Sequence, residues 1–337
     1  MTIRWQFFSA LSLLALPVAA YSAASNTIVG AGYTYPVPIN AAPGQIITLF
    51  VAGVGSTLTG PVTAGAGTLP TSLAGISVTF QQGVTIAVPM LAVRPVSTCT
   101  SASITGCGSL TAITIQIPYQ AVPPCMPLSN SGVCPLVVLP PAQLSVTENG
   151  TTGAVMELSL LQDQIHVLTT CDTVIGGSGY APFTGLRCQP YVTHADGSLV
   201  TATNPAQSKE ELVAYAVGLG QTQPPSITGQ PPSVHVPVNE SIEVGFDYRP
   251  DALPSRTPIP EFFLVAPLFA GLTPGYAGLY QINFIVQPPT QNVFPCINAI
   301  SPSGADIIES NLTVNFAGLD SFDGARICVA GVLVANN

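Results

Sequence analysis

The sequence predicts an all-β fold, and three observations predict it. Short runs in which apolar and polar residues alternate with period two recur along its 337 residues. Turn residues punctuate those runs, with 33 prolines and 31 glycines available for the purpose. Beyond the N-terminus, few stretches of helical length escape proline, glycine or clustered β-branched residues. Many short strands separated by Pro/Gly turns point to stacked sheets, and the length suits two tandem β-sandwich domains.

The first segment, 1–24, reads as a signal peptide. Arg4 supplies a short positive region, Phe7 to Val18 an apolar stretch, and Ala19, Ala20, Ser22, Ala23 and Ala24 the small residues of a cleavage site. No cysteine lies near that site, so no lipid anchor is expected. No later stretch is long enough to span a bilayer: Phe262 to Leu272 is short and broken by Pro267.

Strands follow in order. Ile46 to Ala52 is a compact apolar run, whereas Ile76 to Phe80 and Ile113 to Ile117 alternate cleanly. Leu144-Ser145-Val146 leads into Asn149-Gly150, a hairpin pair, and Met156 to Leu160 resumes the alternation. Later strands are expected at Leu212 to Val217, Ser241 to Phe246, Tyr280 to Val286 and Leu312 to Phe316, and Ser208 to Glu211 forms at most a short turn. A repeat runs through this order. Ile46 to Ala52 is followed by Gly53-Val54-Gly55, and Leu212 to Val217 by Gly218-Leu219-Gly220. Ile113 to Pro118 corresponds loosely to Ile282 to Pro288. The expected domains are therefore 25–170 and 171–337.

Composition narrows the partners. Charged residues make up only 7%, lysine occurs once, at Lys209, and the net charge is −9. Nucleic acid is excluded as a partner, because neutralising phosphates needs clustered lysine and arginine. The same charge disfavours an anionic membrane surface. Disorder is excluded by the richness in Val, Ile, Thr and Leu. Eight cysteines in an exported chain favour disulfides. Their spacing suggests Cys99–Cys107, Cys125–Cys134, Cys171–Cys188 and Cys296–Cys328. No C-x-x-C pair exists to suggest a zinc knuckle or a redox site.

Several segments carry a resemblance. They are Asn40-Ala41-Ala42-Pro43-Gly44, the run from Leu69 to Val78, His194-Ala195-Asp196-Gly197-Ser198-Leu199, Gly218-Leu219-Gly220, and Gly271 to Asn283. Over about 35–335 the chain resembles an uncharacterised family of secreted acidobacterial domains, the Solibacter-type C-terminal domain. The resemblance implies immunoglobulin-like β-sandwich domains and a bacterial source, and it brings no catalytic residues to transfer. The cysteine-rich insertions around 97–134 and 171–188 depart from the family pattern.

Candidate chemistry is sparse. His166, His194 and His235 show no spacing that demands a metal. His194, Asp196 and Ser198 are the residue types of a hydrolytic triad, but so tight a segment cannot array nucleophile, base and orienting group, and Asp196-Gly197 reads as a turn. The Gly-x-Gly pairs lack the Lys-Ser/Thr of a phosphate loop and mark bends instead. Asp320 with Asp323, or Glu240 with Glu243, matches no full calcium loop. Among the tyrosines, Tyr276 and Tyr280 are the candidates for stacking on a ligand, with a structural corner as the competing reading.

The expectation is a non-catalytic secreted or cell-surface module for structure or adhesion. It needs no cofactor, and its partner is an extracellular polymer or protein. A carbohydrate-binding module and a secreted hydrolase of unrecognised type are the alternatives.

Overall fold

The computed structural model describes residues 26–97, 109–124, 139–177, 188–248, 252–254, 264–288, 311–316 and 321–330. The described residues are almost entirely strand and turn, with a single 3-10 turn at Thr173–Ile175. None of their helices is long and apolar enough to cross a membrane. The first half contains β1 (Thr27–Gly32), β2 (Asn40–Ala41), β3 (Ile46–Ala52), β4 (Val62–Thr63), β5 (Ser72–Leu73) and β6 (Ile76–Gln82). It continues through β7 (Val84–Ala87), β8 (Met90–Ser97), β9 (Ser109–Gln116), β10 (Ala142–Glu148), β11 (Thr151–Thr152) and β12 (Met156–Leu160). The second half contains β13 (His166–Val167), β14 (Val192–Thr193), β15 (Glu211–Val217), β16 (Val236–Pro237) and β17 (Ile242–Phe246). It ends with β18 (Leu264–Val265), β19 (Phe269–Leu272), β20 (Tyr280–Ile285), β21 (Leu312–Phe316) and β22 (Phe322–Ala325).

Four sheets result. One has the order β1-β3-β9-β8-β4, and it faces a second with the order β2-β12-β10-β6-β5, where β7 also pairs with β6 and β11 with β10. The third runs β13-β15-β20-β19-β16 with β14 beside β15, and the fourth β18-β17-β21-β22. Among the described strands all pairings are antiparallel except β2 with β12. The repeat seen in the sequence is a repeat of topology. β3 and β15 hold the same place in their sheets, each paired on one side with β9 or β20, and each of those with the hairpin partner β8 or β19. Both central strands end in glycines at positive φ: Gly53 at 81° and Gly55 at 72°, Gly218 at 80° and Gly220 at 74°. Only glycine adopts that backbone without penalty, which is why the Gly-x-Gly pairs could be read as bends.

Each pair of sheets encloses its own apolar core. In the first half, Ile47, Leu49 and Val51 of β3 and Ile113 and Ile115 of β9 meet Val78 and Phe80 of β6 and Leu144 and Val146 of β10. In the second, Leu212, Ala214 and Ala216 of β15 and Ile282 and Phe284 of β20 meet Val244 and Phe246 of β17 and Val314 and Phe316 of β21. Period-two alternation explains these faces: β20 buries Tyr280, Ile282 and Phe284 and turns the residues between them outward. The Asn149-Gly150 pair closes the β10–β11 hairpin with φ of 49° and 82°, as a type I′ turn requires. Shortening Ile113 to valine in the first core is expected to cost about 1 kcal/mol, read from urea denaturation midpoints, because one buried methylene leaves a small void.

β3 departs from alternation: its first six residues are all buried. One face lies on the first core. The other lies with Ile46 and Thr48 under the segment that follows β13. That double burial accounts for the unbroken apolar run in the sequence.

Candidate functional site

The two halves meet in a seam of hydrogen-bonded polar groups. Gln45 of the first half accepts the Ala42 N–H at 2.6 Å and donates to the Gln164 carbonyl at 3.1 Å and to the Tyr33 hydroxyl. The Thr173 hydroxyl donates to the Tyr33 carbonyl and accepts from the Thr48 hydroxyl, both at 2.7 Å, and the Thr173 N–H also reaches the Tyr33 carbonyl at 2.7 Å. Arg94 on β8 donates to the Gly177 carbonyl at 2.8 Å and to the Thr173 carbonyl. Burial pushes its guanidinium below its ordinary pKa. Gln116 bridges Gly44 and Gly229, and Tyr119 bonds to Thr228, Gln221 and Tyr280. Burial, the largest influence, raises the Tyr119 phenol to about 12.

His166 sits at the centre of this seam. Its Nε2 lies 3.0 Å from Asp172 Oδ2 and its Nδ1 3.2 Å from Asp323 Oδ2. The Tyr33 ring stacks on the imidazole at 3.7 Å between centroids and 11° between planes. Asp172 is 1% exposed, and the same oxygen accepts the Thr169 N–H at 2.6 Å. Asp323 Oδ2 also accepts the Val167 N–H at 2.8 Å. Burial alone would lower the pKa of His166; the two carboxylates outweigh it and raise it to about 9. Burial, with the two carboxylates adding to it, raises the Tyr33 phenol, although the bond from Gln45 opposes the shift.

The triad residue types do not assemble as a triad. His194 Nδ1 lies 2.6 Å from Glu210 Oε1 and its Nε2 3.2 Å from the Asn204 carbonyl. The Ser198 hydroxyl donates to Asp196 Oδ1 at 2.6 Å, and the Ser198 N–H bonds to the same oxygen at 2.9 Å. The hydroxyl and the imidazole therefore have separate partners, and Asp196-Gly197 forms the turn its residues predict, with Gly197 at φ 83°. The hydrogen bond to Glu210 is the main reason the pKa of His194 is raised. On Glu210, burial pushes upward, but the Gln207 N–H and His194 more than offset it and the carboxyl lies below its ordinary value. His235 makes an edge contact with Phe269, with centroids 5.1 Å apart. Among the described residues no group of three His, Cys, Asp or Glu side chains is placed to hold a metal.

The ligand-stacking pair divides. Tyr280 is wholly buried, and its hydroxyl donates to the Gly220 carbonyl beside Tyr119. The stacking role expected of Tyr280 is therefore corrected: its ring is part of the core, on the same face of β20 as Ile282 and Phe284. That alternation was visible in the sequence and would have placed it. Tyr276 is 60% exposed. It stands at the edge of a groove of about 480 Å³ whose walls come from both halves: Ile46, Leu69 and Leu91 from the first, Leu168, Val174 and Leu279 from the second. No ionisable group except the Tyr276 phenol lines it.

Cys171 and Cys188 form the expected disulfide, with Cα atoms 5.3 Å apart. Cys328 is also disulfide-bonded. Its expected partner Cys296, together with Cys99, Cys107, Cys125, Cys134 and the acidic candidate Asp320, lies outside the described residues. Asp323 serves His166, and Glu240 accepts a bond from Asn239 at 3.2 Å.

No protein-family model matches the chain, and no curated protein matches it. Fold and seam define the class instead: an all-β sandwich protein, disulfide-bonded, with a partly buried histidine set between two carboxylates at the seam.

Proposed function

We propose that this chain is a non-catalytic secreted or cell-surface module for structure or adhesion, built of two immunoglobulin-like sandwiches. The observation that carries this reading is the use made of its ionisable groups. His166 and His194, the two histidines with carboxylate partners, spend both ring nitrogens on holding strands and loops together. A general base needs a free nitrogen within reach of a substrate proton. The disulfide and the leader-like N-terminus agree with an oxidising compartment. The resemblance to secreted acidobacterial domains agrees as well.

The test is direct. Purified mature protein is passed over immobilised envelope polymers and cell-surface proteins, and in parallel assayed against esterase, peptidase and glycosidase substrates. Retention on at least one surface with no turnover is expected; turnover abolished by His166→Gln or His194→Gln would overturn the reading.

A carbohydrate-binding module is the second reading, and exposed Tyr276 beside an uncharged groove favours it. Tyrosine faces stack on the apolar faces of sugar rings. On that reading Tyr276→Ala leaves the thermal midpoint within about 2 °C, since exposed substitutions seldom cost more than ~0.5 kcal/mol. Retention on the polysaccharide falls at least tenfold. A glycan array that is blank for the wild type removes this reading and leaves the structural one in place.

A further inference from the structure

We infer that His166, Asp172, Asp323 and Tyr33 form a protonation-gated clasp that holds the strap 166–177 to β22 and to the Tyr33 loop of the first half and so sets the width of the groove.

With both carboxylates ionised, only one protonation state of His166 satisfies every contact. Both ring nitrogens of His166 face carboxylate oxygens, at 3.0 and 3.2 Å. A neutral imidazole has one N–H, so either tautomer turns a lone pair toward a carboxylate. Only the imidazolium donates to both. Its charge also offsets Asp172, which has almost no contact with solvent. The Tyr33 face stacked on the ring adds an attraction that needs the same positive charge. Among the described residues the ionisable groups facing the ring are these three, one from each neighbour: Asp172 on the strap, Asp323 on β22, Tyr33 on the loop after β1. β15 pairs with β13 through Val217 and Ala216 and presents no charge there.

The strap is where the proton has mechanical leverage. Leu168, Val174 and Ile175 on it line the groove, while Ile46, Leu69 and Leu91 form the wall opposite. Between the strap and the first half lie the Thr173 bonds to Tyr33 and Thr48 and the two Arg94 bonds to its carbonyls. The Cys171–Cys188 disulfide anchors it within the second half. The direction in pH follows from the raised pKa. With an ordinary value near 6.5 lifted to about 9 in the folded chain, the clasp is fully closed below about pH 6.5 and lost as pH rises through about 9.

Amide hydrogen exchange of the whole mature chain, corrected for intrinsic rates at pH 7 and pH 9.5, tests this. The reporters are the N–H groups of Thr169, Thr173 and Gly177, which are bonded in or across the strap. Ile113 and Ile115 in β9 report global opening. Protection of the strap amides is expected to fall at least tenfold more than that of β9 between the two pH values. In His166→Gln, strap protection is already low at pH 7 and changes no more than β9. Strap and β9 amides losing protection in parallel, or strap protection unchanged at pH 9.5, would overturn the clasp. Should His166→Gln fail to fold, the wild-type series decides alone.

Discussion

Replacing Asp172 by alanine is expected to destabilise the fold by about 3–5 kcal/mol, the usual cost of removing one partner from a buried ion pair. The carboxylate is 1% exposed and holds two donors with one oxygen, His166 Nε2 at 3.0 Å and the Thr169 N–H at 2.6 Å. Its loss leaves an amide without its partner and half of the charge balance at His166 missing. Asp172→Asn keeps an acceptor for Thr169 and is expected to cost less. Urea denaturation at pH 7 measures both, and a cycle with His166→Gln isolates the pair. The pH dependence supplies a second readout. In the wild type, stability should decline between about pH 6.5 and 9, because the pKa of His166 is raised in the folded state. Without Asp172 one of the two causes of that rise is gone, so the decline should shrink. Equal costs for alanine and asparagine, with an unchanged pH slope, would mean that Asp172 acts only by filling space.

Gly218→Ala is expected to be nearly as severe, at about 2–5 kcal/mol. Two costs combine: an alanine at φ near +80° costs about 1–2 kcal/mol, and an over-packed site adds about 1–3 more. Gly218 has φ 80°, and a Cβ there would lie 1.9 Å from the Gln164 carbonyl oxygen, which is backbone and has nowhere to go. The Gln164 N–H donates to the Gly218 carbonyl at 2.8 Å, so the two chains cannot part without losing that bond. Gly197→Ala is the control. Gly197 has nearly the same φ, 83°, but open space where the Cβ would go. It should pay the backbone penalty alone, and the difference between the two measures the close approach. Comparable losses at both positions would show that the approach at Gly218 relaxes freely.

The strands were legible in the sequence where burial is one-sided, as in Ile76 to Phe80 and Tyr280 to Ile285, because side chains of a strand point alternately to core and solvent. The repeat was legible through Gly53-Val54-Gly55 and Gly218-Leu219-Gly220, since a positive φ at both ends of a bend restricts the residue type. Cys171 and Cys188 were legible as a local pair. The clasp was not. Tyr33, His166, Asp172 and Asp323 share no local pattern, and only the packing of β13 between β15 and β22 brings Asp323 to the ring. Nor did the sequence reveal that β3 is covered on its second face by the strap, although its unbroken apolar run is the consequence. Of the two tyrosines singled out for a ligand, strand period separates buried Tyr280 from exposed Tyr276. Reading the segment as a motif concealed that difference.

The central claim is that the ionisable groups of this protein join sheets rather than carry out a reaction. It is tested most directly by the nitrogen-15 shifts of the His166 ring at pH 7.5. Two protonated nitrogens, both slow to exchange with water, are predicted. A neutral ring with one unprotonated nitrogen would contradict the account.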